Sequence, residues 1–371
     1  MPSTQYKNEL VKRNYYIYLE NAKQYSQKTI RCYEKGIWLW EEFSGQADFG
    51  VFSKQKAIDF KKWLKSKQKK NGEGTVSLSY CHTNIRYLKA FFIWLSKQDG
   101  YKSKIHEQDV EYLNLTKAEN KIATQSKNTR FPSIEQVKKV IEHIEGKTEV
   151  ELRDRALISL TLLTGIRISA LASLSIKCFD KETMIIDQNP KFGVETKFSK
   201  RITSVFVPIP NNKAKQYFMD WVEYLQKQKA FNLGDPIFPA TKTEVGKHNL
   251  GFYSNGEVGP VFWKSTTSAR NIFRKRFELA GVEYFHPHTF RNLLVSEISK
   301  LPLTEIQKKA FSQNLGHENV GTTFGSYGYG HIDPIKQARI VQDISFDNLT
   351  TANIASLSKE QLLKIMAQRI D

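Results

Sequence analysis

The chain has 371 residues, 40% of them hydrophobic, enough for two ordinary domains with buried cores, which excludes a disordered or fibrous protein. Lysine and arginine number 56 against 38 aspartate and glutamate, a formal charge of +18, so polyanions, and nucleic acid first among them, are the partners to consider. Cys32, Cys81 and Cys178 are scattered, odd in number and without metal-type spacing, which argues against a disulfide framework or a zinc site and fits a reducing cytoplasm. Met1 to Arg13 is polar with no signal-peptide core, and no apolar run is long enough to span a bilayer, so the expected protein is soluble, without a membrane partner.

From Leu10 to roughly Tyr101 the pattern is helical: Tyr15, Ile17, Tyr18 and Leu19 open it, and Ile30, Tyr33, Ile37, Trp38, Trp40 and Phe43 recur at three to four residue steps. Ala57, Ile58, Phe60, Trp63 and Leu64 predict a further helix, as do Ile85, Leu88, Phe91, Phe92, Trp94 and Leu95. Aromatics at helix-face spacing read as core rather than as base-stacking platforms. Between these two helices lies a basic run, Lys61, Lys62, Lys65, Lys67, Lys69 and Lys70, followed by Asn71 and Gly72, which reads as a helix end entering a loop, either as a solvated face or in contact with phosphate.

Thr116 to Arg130 is polar and lysine-rich without apolar periodicity and is expected to be an extended linker, leaving residues 1–115 as a helical domain. Pro132 and Ser133 then open a new helix, with Gln136 in capping-box position. Leu157, Ile158, Leu160, Leu162 and Leu163 mark a buried helix that Thr164 and Gly165 interrupt. Met184 to Asp187 and Ser204 to Pro208 read as strands bracketing a polar segment with Lys191, Lys197, Lys200 and Arg201. The expected fold is mainly α with a small antiparallel sheet, the second domain running over 131–345 and a tail over 346–371. In that tail Leu362, Leu363, Ile365 and Met366 give Leu357 to Arg369 a helical period, able to dock on its own domain or on a neighbouring protomer.

Polar islands stand in otherwise apolar or turn-like settings: Thr164-Gly165-Ile166-Arg167, Thr196-Lys197, His288-Thr289-Phe290-Arg291 and Leu315-Gly316-His317, with Tyr327 closing the series. Singly each is weak, since an arginine at a helix start usually caps or pairs and a lone histidine is usually packed. Their order and spacing resemble the tyrosine recombinase, or phage integrase, family from Phe131 to about His331, with a family-like helical core-binding domain before it. The family's first catalytic arginine follows a Thr-Gly-Leu/Ile turn, matched by Arg167; its His-x-x-Arg box is matched by His288 and Arg291, and its Leu-Gly-His box gives His317. The family's lysine lies in a β-hairpin after the first arginine; Lys197 is the choice, with Lys200 and Lys191 as alternatives. The family places its nucleophile one residue closer to the last histidine than Tyr327 stands, at Ser326 here. Tyr327 is assigned nonetheless, because loop length there is easily varied, with Tyr329 as the alternative. The chain also has Ala170 where family members commonly place an acidic residue, which bears on the support of Arg167.

The resemblance implies a site-specific recombinase that cuts and rejoins duplex DNA through a 3′-phosphotyrosyl ester, with no metal or nucleotide cofactor. Two guanidiniums suit the extra charge on a phosphodiester under attack. It also implies two domains clamped around DNA recombination sites, four protomers in a synapse, an accessory directionality factor, and a place in the cytoplasm at the nucleoid, for a mobile element. The competing expectations are a type IB topoisomerase-like relaxation of one duplex and a DNA-binding relative that has lost catalysis. A metal centre at His286, His288 and His317 lacks an acidic partner at ligand spacing.

Overall fold

Serine caps set the first helices. α1 (Thr4–Asn21) is followed by α2 (Gln27–Ser44), α3 (Lys54–Ser66) and α4 (Leu78–Leu95); the side chains of Ser26, Ser53 and Ser77 each accept a main-chain N–H three residues on and so begin the last three. In this computed structural model the described residues are 4–69, 71–125, 130–210, 213–245 and 252–326. The chain divides into two compact units, Met1–Gln125 and Ser126–Asp371.

The core of the first unit takes Tyr15 from α1, Ile37 and Trp40 from α2, Phe60 and Leu64 from α3, and Leu88, Phe91 and Phe92 from α4, all buried. Each such side chain contributes about 1.5–3 kcal/mol by leaving water, and Trp40 adds an edge-on contact with Phe92 at 4.9 Å between ring centroids. Trp38 and Ile17, read as part of the same periodic stripes, instead face solvent, because the helical phase that buries Trp40 and Leu19 turns them outward. α5 (Glu107–Val110) is one turn.

The stretch expected to be an extended linker contains a helix, α6 (Lys117–Thr124), which lies against α4. Thr116 and Glu119 form a capping box, Asn120 Nδ2 donates to the Leu115 carbonyl at 3.2 Å, and Ala123 is buried. A cap and one small apolar contact suffice for two turns packed on a neighbour. The basic run is largely satisfied within the unit: Lys61 donates to the Asn114 carbonyl, and Lys62, Lys65 and Lys67 pair with Asp59, Glu119 and Glu42.

The second unit begins with α7 (Ile134–His143), opened by the Ser133 and Gln136 capping box. Its centre is α8 (Glu149–Thr164), charged over its first turns and buried on every face from Ala156 to Thr164, where the sequence is almost wholly apolar. The hydroxyls of Thr161 and Thr164 are satisfied by the carbonyls four residues back. Near its start Asp154 is buried between Arg153 and Arg276, at 2.8 Å from each. A short α9 (Ile168–Ala172) follows the turn at Gly165.

The sheet is β1 (Phe179–Asp180), β2 (Ile185–Gln188) and β3 (Ile202–Val205), antiparallel in that order, with Ile186 opposite Ser204. β3 lies two residues earlier than its sequence suggests. Beyond Val205 the chain leaves the ladder, and the Val207 N–H donates instead to the Leu163 carbonyl of α8 at 2.7 Å. α10 (Ala214–Lys227) packs on α8. A hairpin that alternation did not reveal, β4 (Thr241–Val245) and β5 (Phe252–Val258), is tied to the start of α8 by the Val258 N–H, which donates to Glu149 at 2.8 Å. α11 (Thr266–Leu279), α12 (Thr289–Ile298), α13 (Glu305–Asn314) and α14 (Val320–Ser326) complete the unit. Tyr327, Tyr329 and the tail with its expected helix lie outside the described residues.

Candidate active site

Gly165 caps α8 in the left-handed region, φ +59°, and Arg167 stands at the first position after the turn, where it caps α9. A β-carbon at Gly165 would approach Leu294 and Leu315 to 3.1 Å. The turn therefore needs glycine twice over, for its φ and for the space. Gly316 repeats the pattern between α13 and His317: φ is +72°, and a β-carbon would stand 2.5 Å from the Ile202 side chain of β3. β3 and α13 are further locked by Ser204, whose hydroxyl donates to the Asn314 carbonyl at 2.8 Å, and by the Val205 N–H, which donates to the Asn314 side chain at 2.6 Å.

Arg291, on the first turn of α12 and 2% exposed, joins these turns. Nη1 donates to the Gly165 carbonyl at 2.7 Å, and Nη2 donates to the Leu315 carbonyl and stands 3.0 Å from His317 Nε2. A guanidinium only donates, so Nε2 is the acceptor and the ring proton of His317 lies on Nδ1, 2.8 Å from the Thr323 hydroxyl. A ring in that form has no Nε2 proton to give to a phosphate oxygen.

His288 caps α12 beside Arg291. The residue as a whole is more than a third exposed, yet the surroundings of its ring push the pKa down to about 4. Desolvation is the main cause, followed by the charges of Arg291, Arg167, His286 and Lys197. His317, 7% exposed, is lowered to about 4 by desolvation first and then by Arg291, Arg167, His288 and Lys197. Both imidazoles are therefore neutral at pH 7, set among cations whose fields reach both.

The structure thus brings together Arg167, Lys197, His288, Arg291 and His317. Lys197 lies in the loop between β2 and β3, exposed, its ammonium 4.9 Å from the ring centre of Phe198. The backbone there is strained, with φ +61° at Phe198 and +50° at Ser199. Lys200 pairs with Glu318, and Lys191 sits on an exposed turn at Pro190–Phe192. Ala170 is buried in the apolar core. His286 Nδ1 accepts the His288 main-chain N–H at 3.2 Å. Among the described residues, no group of three or more metal-ligating side chains is placed to hold an ion, and no helix is long and apolar enough to cross a membrane.

Sequence reasoning missed Ser312 and Thr323, both fully buried behind His317. Small hydroxyls carry no signal in a sequence, and only the fold shows that they line up.

Two arginines, a lysine and two neutral imidazoles are gathered in one place on this mostly helical scaffold, and the chain belongs to the phage integrase family, whose pattern it matches over residues 130–331. It is similar to the tyrosine recombinase XerC of Lactobacillus delbrueckii subsp. bulgaricus, 24% identical over 316 residues that cover 82% of this chain and 90% of the relative. A XerC from Staphylococcus saprophyticus is 20% identical over 321 residues, 85% of this chain and 91% of the relative. In fold the chain is similar to lambda integrase (75–356) from a dimer bound to a COC′ core site, with a TM-score of 0.55 at 13% identity, covering 84% of this chain and 95% of the other. A Tn1549 transposon integrase in complex with a circular intermediate DNA gives 0.53 at 16% identity, covering 90% and 99%.

Proposed function

We propose that this chain, a site-specific DNA recombinase, cuts one strand of a duplex with Tyr327 and holds the cut end as a 3′-phosphotyrosyl ester. The observation that carries the reading is Arg291, which ties the Arg167 turn and His317 into one cationic centre containing two neutral imidazoles. Arg167 and Arg291 bind the non-bridging oxygens and stabilise the charge that grows on them. A tyrosine has a pKa of about 10 in water, so its phenol must lose its proton as it attacks, and neutral His288 takes it. As the bond from phosphorus to the 5′-oxygen breaks, Lys197 returns a proton to that oxygen. Lys200 is less suited, since Glu318 already engages its ammonium. His317 supports the centre by accepting from Arg291 rather than by donating to phosphate.

The ester keeps the energy of the broken bond, so a 5′-hydroxyl from a second duplex restores the backbone without a nucleotide cofactor. In this reading residues 1–115, together with α6 that packs on them, are the core-binding domain and 131–345 the catalytic domain, both binding DNA. Four protomers bring two recombination sites together, a directionality factor biases the outcome, and the work is done at the nucleoid for a mobile element. The relatives' names, XerC recombinase and Tn1549 transposon integrase, support recombination and are compatible with a mobile element.

The test is a plasmid carrying two copies of the element's junction, incubated with the protein in EDTA without nucleotide. The expected result is a recombined product that depends on the junctions. Relaxation of any plasmid regardless of junction would indicate topoisomerase-like action, and binding with neither outcome would indicate a relative without catalysis.

A further inference from the structure

Behind the site runs a line of hydrogen bonds with a single sense. It starts at Arg291 Nη2, a pure donor, and passes to His317 Nε2 at 3.0 Å. His317 Nδ1 then meets Thr323 Oγ1 at 2.8 Å, Thr323 Oγ1 meets Ser312 Oγ at 2.8 Å, and Ser312 Oγ lies 3.4 Å from the Asn319 carbonyl and 3.5 Å from that of His317, both acceptors only. Because the first group cannot accept and the last cannot donate, every proton in between is assigned: Nδ1–H to Thr323, Thr323 O–H to Ser312, Ser312 O–H to the carbonyl. Thr323 and Ser312 are fully buried and His317 is 7% exposed. Thr323 belongs to α14, which ends at Ser326, the residue before Tyr327.

We propose that Thr323, backed by Ser312, is a positioning residue that makes the tautomer of His317 depend on the seating of α14, so that Arg291 is correctly held only when the segment leading to Tyr327 is in place. With α14 seated, the Thr323 hydroxyl accepts from Nδ1–H and reinforces the tautomer in which Nε2 accepts from Arg291. With α14 unseated, Nδ1–H of His317 loses the Thr323 hydroxyl. The other tautomer would then set an Nε2–H against the Nη2–H of Arg291, and the bond between these two side chains would be lost. The device would let the site tell whether its own nucleophile segment is docked before the phosphate is attacked, and it rests on the reading of Tyr327 given above.

Two readouts on the full chain test it. The first is the two-bond proton–nitrogen spectrum of protein labelled in its imidazole nitrogens, with His317→Gln used to assign the His317 signals. Wild type and Thr323→Ser should show the Nδ1–H form, and Thr323→Val should lose it. The second is single-turnover cleavage of a nicked duplex carrying the element's junction. Thr323→Val should slow it by about 10- to 100-fold, the scale seen on losing the partner that orients a metal-bound histidine, with DNA affinity unchanged and the rate recovered in Thr323→Ser. Ser312→Ala, which leaves the Thr323 hydroxyl in place but removes its acceptor, should give a smaller loss in both readouts and serves if the valine variant is unstable. An unchanged Nδ1–H signature in Thr323→Val, or in Ser312→Ala with an unchanged rate, would overturn the proposal. Absence of any cleavage by wild type would overturn the proposed function instead, while the tautomer would still decide the role of Thr323.

Discussion

Arg291 donates to the main-chain carbonyl of Gly165 at 2.7 Å, so a side chain of α12 holds the turn from which Arg167 projects, more than a hundred residues earlier in the chain. The same guanidinium reaches the Leu315 carbonyl and His317. Arg291→Ala removes a donor from each of these buried acceptors and should cost on the order of 3 kcal/mol of stability as well as abolishing cleavage. Arg291→Lys keeps a charge but not the fork. Cleavage should fall by about 100-fold or more, the scale of losing a donor to developing charge, with DNA binding retained. Urea unfolding, a binding isotherm and a cleavage time course, run on both variants, separate these effects.

Gly316→Ala should destabilise the second unit by about 2–4 kcal/mol, combining a left-handed alanine with a clash against Ile202. Ile202→Val beside it should recover part of the clash and none of the backbone cost. Equal stability of the single and double variants in urea would place the whole effect in the backbone.

These relationships mark the limit of what the sequence could show. The capping box at Ser133 and Gln136, the apolar second half of α8 and the glycine turn before Arg167 were legible because each has a local signature: a cap pair, an apolar run, a residue that tolerates positive φ. Helix α6 was missed because its capping box at Thr116 and Glu119 stood in a lysine-rich stretch with almost no apolar face. The β4 and β5 hairpin was missed because its strands lack clean alternation. Arg291 could be picked out from its spacing to His288. That it directs three of its five N–H donors to Gly165, Leu315 and His317 is a long-range fact that no local pattern carries.

Lys197→Ala should block cleavage of ordinary DNA. It should regain much of its rate on DNA whose scissile 5′-oxygen is replaced by sulfur, since a thiolate leaves without a proton. Lys200→Ala should cleave ordinary DNA at close to the wild-type rate, because it loses only a partly exposed ion pair with Glu318. Sulfur rescue of Lys200→Ala and not of Lys197→Ala would reverse the assignment.

The lowered pKa of His288 predicts an unusually broad acid limb. A base must be neutral to accept a proton, and a pKa near 4 keeps it neutral down to mildly acidic pH. The apparent second-order rate constant for cleavage, which reports free-enzyme ionisations, should therefore hold between pH 7.5 and 5.5. An unshifted histidine would already lose half its activity at pH 6.5.

His317 gives the matching effect on stability. Its folded-state pKa lies below the ordinary value, so the unfolded chain takes up a proton first as the pH falls. The contribution is present in full above about 6.5 and is lost between there and about 4. For a group so buried, that window is worth on the order of 3 kcal/mol. The stability difference between wild type and His317→Gln in urea should narrow as the pH falls from 7.5 to 4.5.

The most direct measurement is covalent trapping in EDTA on nicked DNA from the borders of the element, with the adduct resolved on a denaturing gel and its peptide mapped by mass spectrometry. The account predicts an adduct in wild type and in Tyr329→Phe, carried by Tyr327, and none in Tyr327→Phe. An adduct that persists in Tyr327→Phe, or no adduct on DNA that the wild-type protein demonstrably binds, would contradict it.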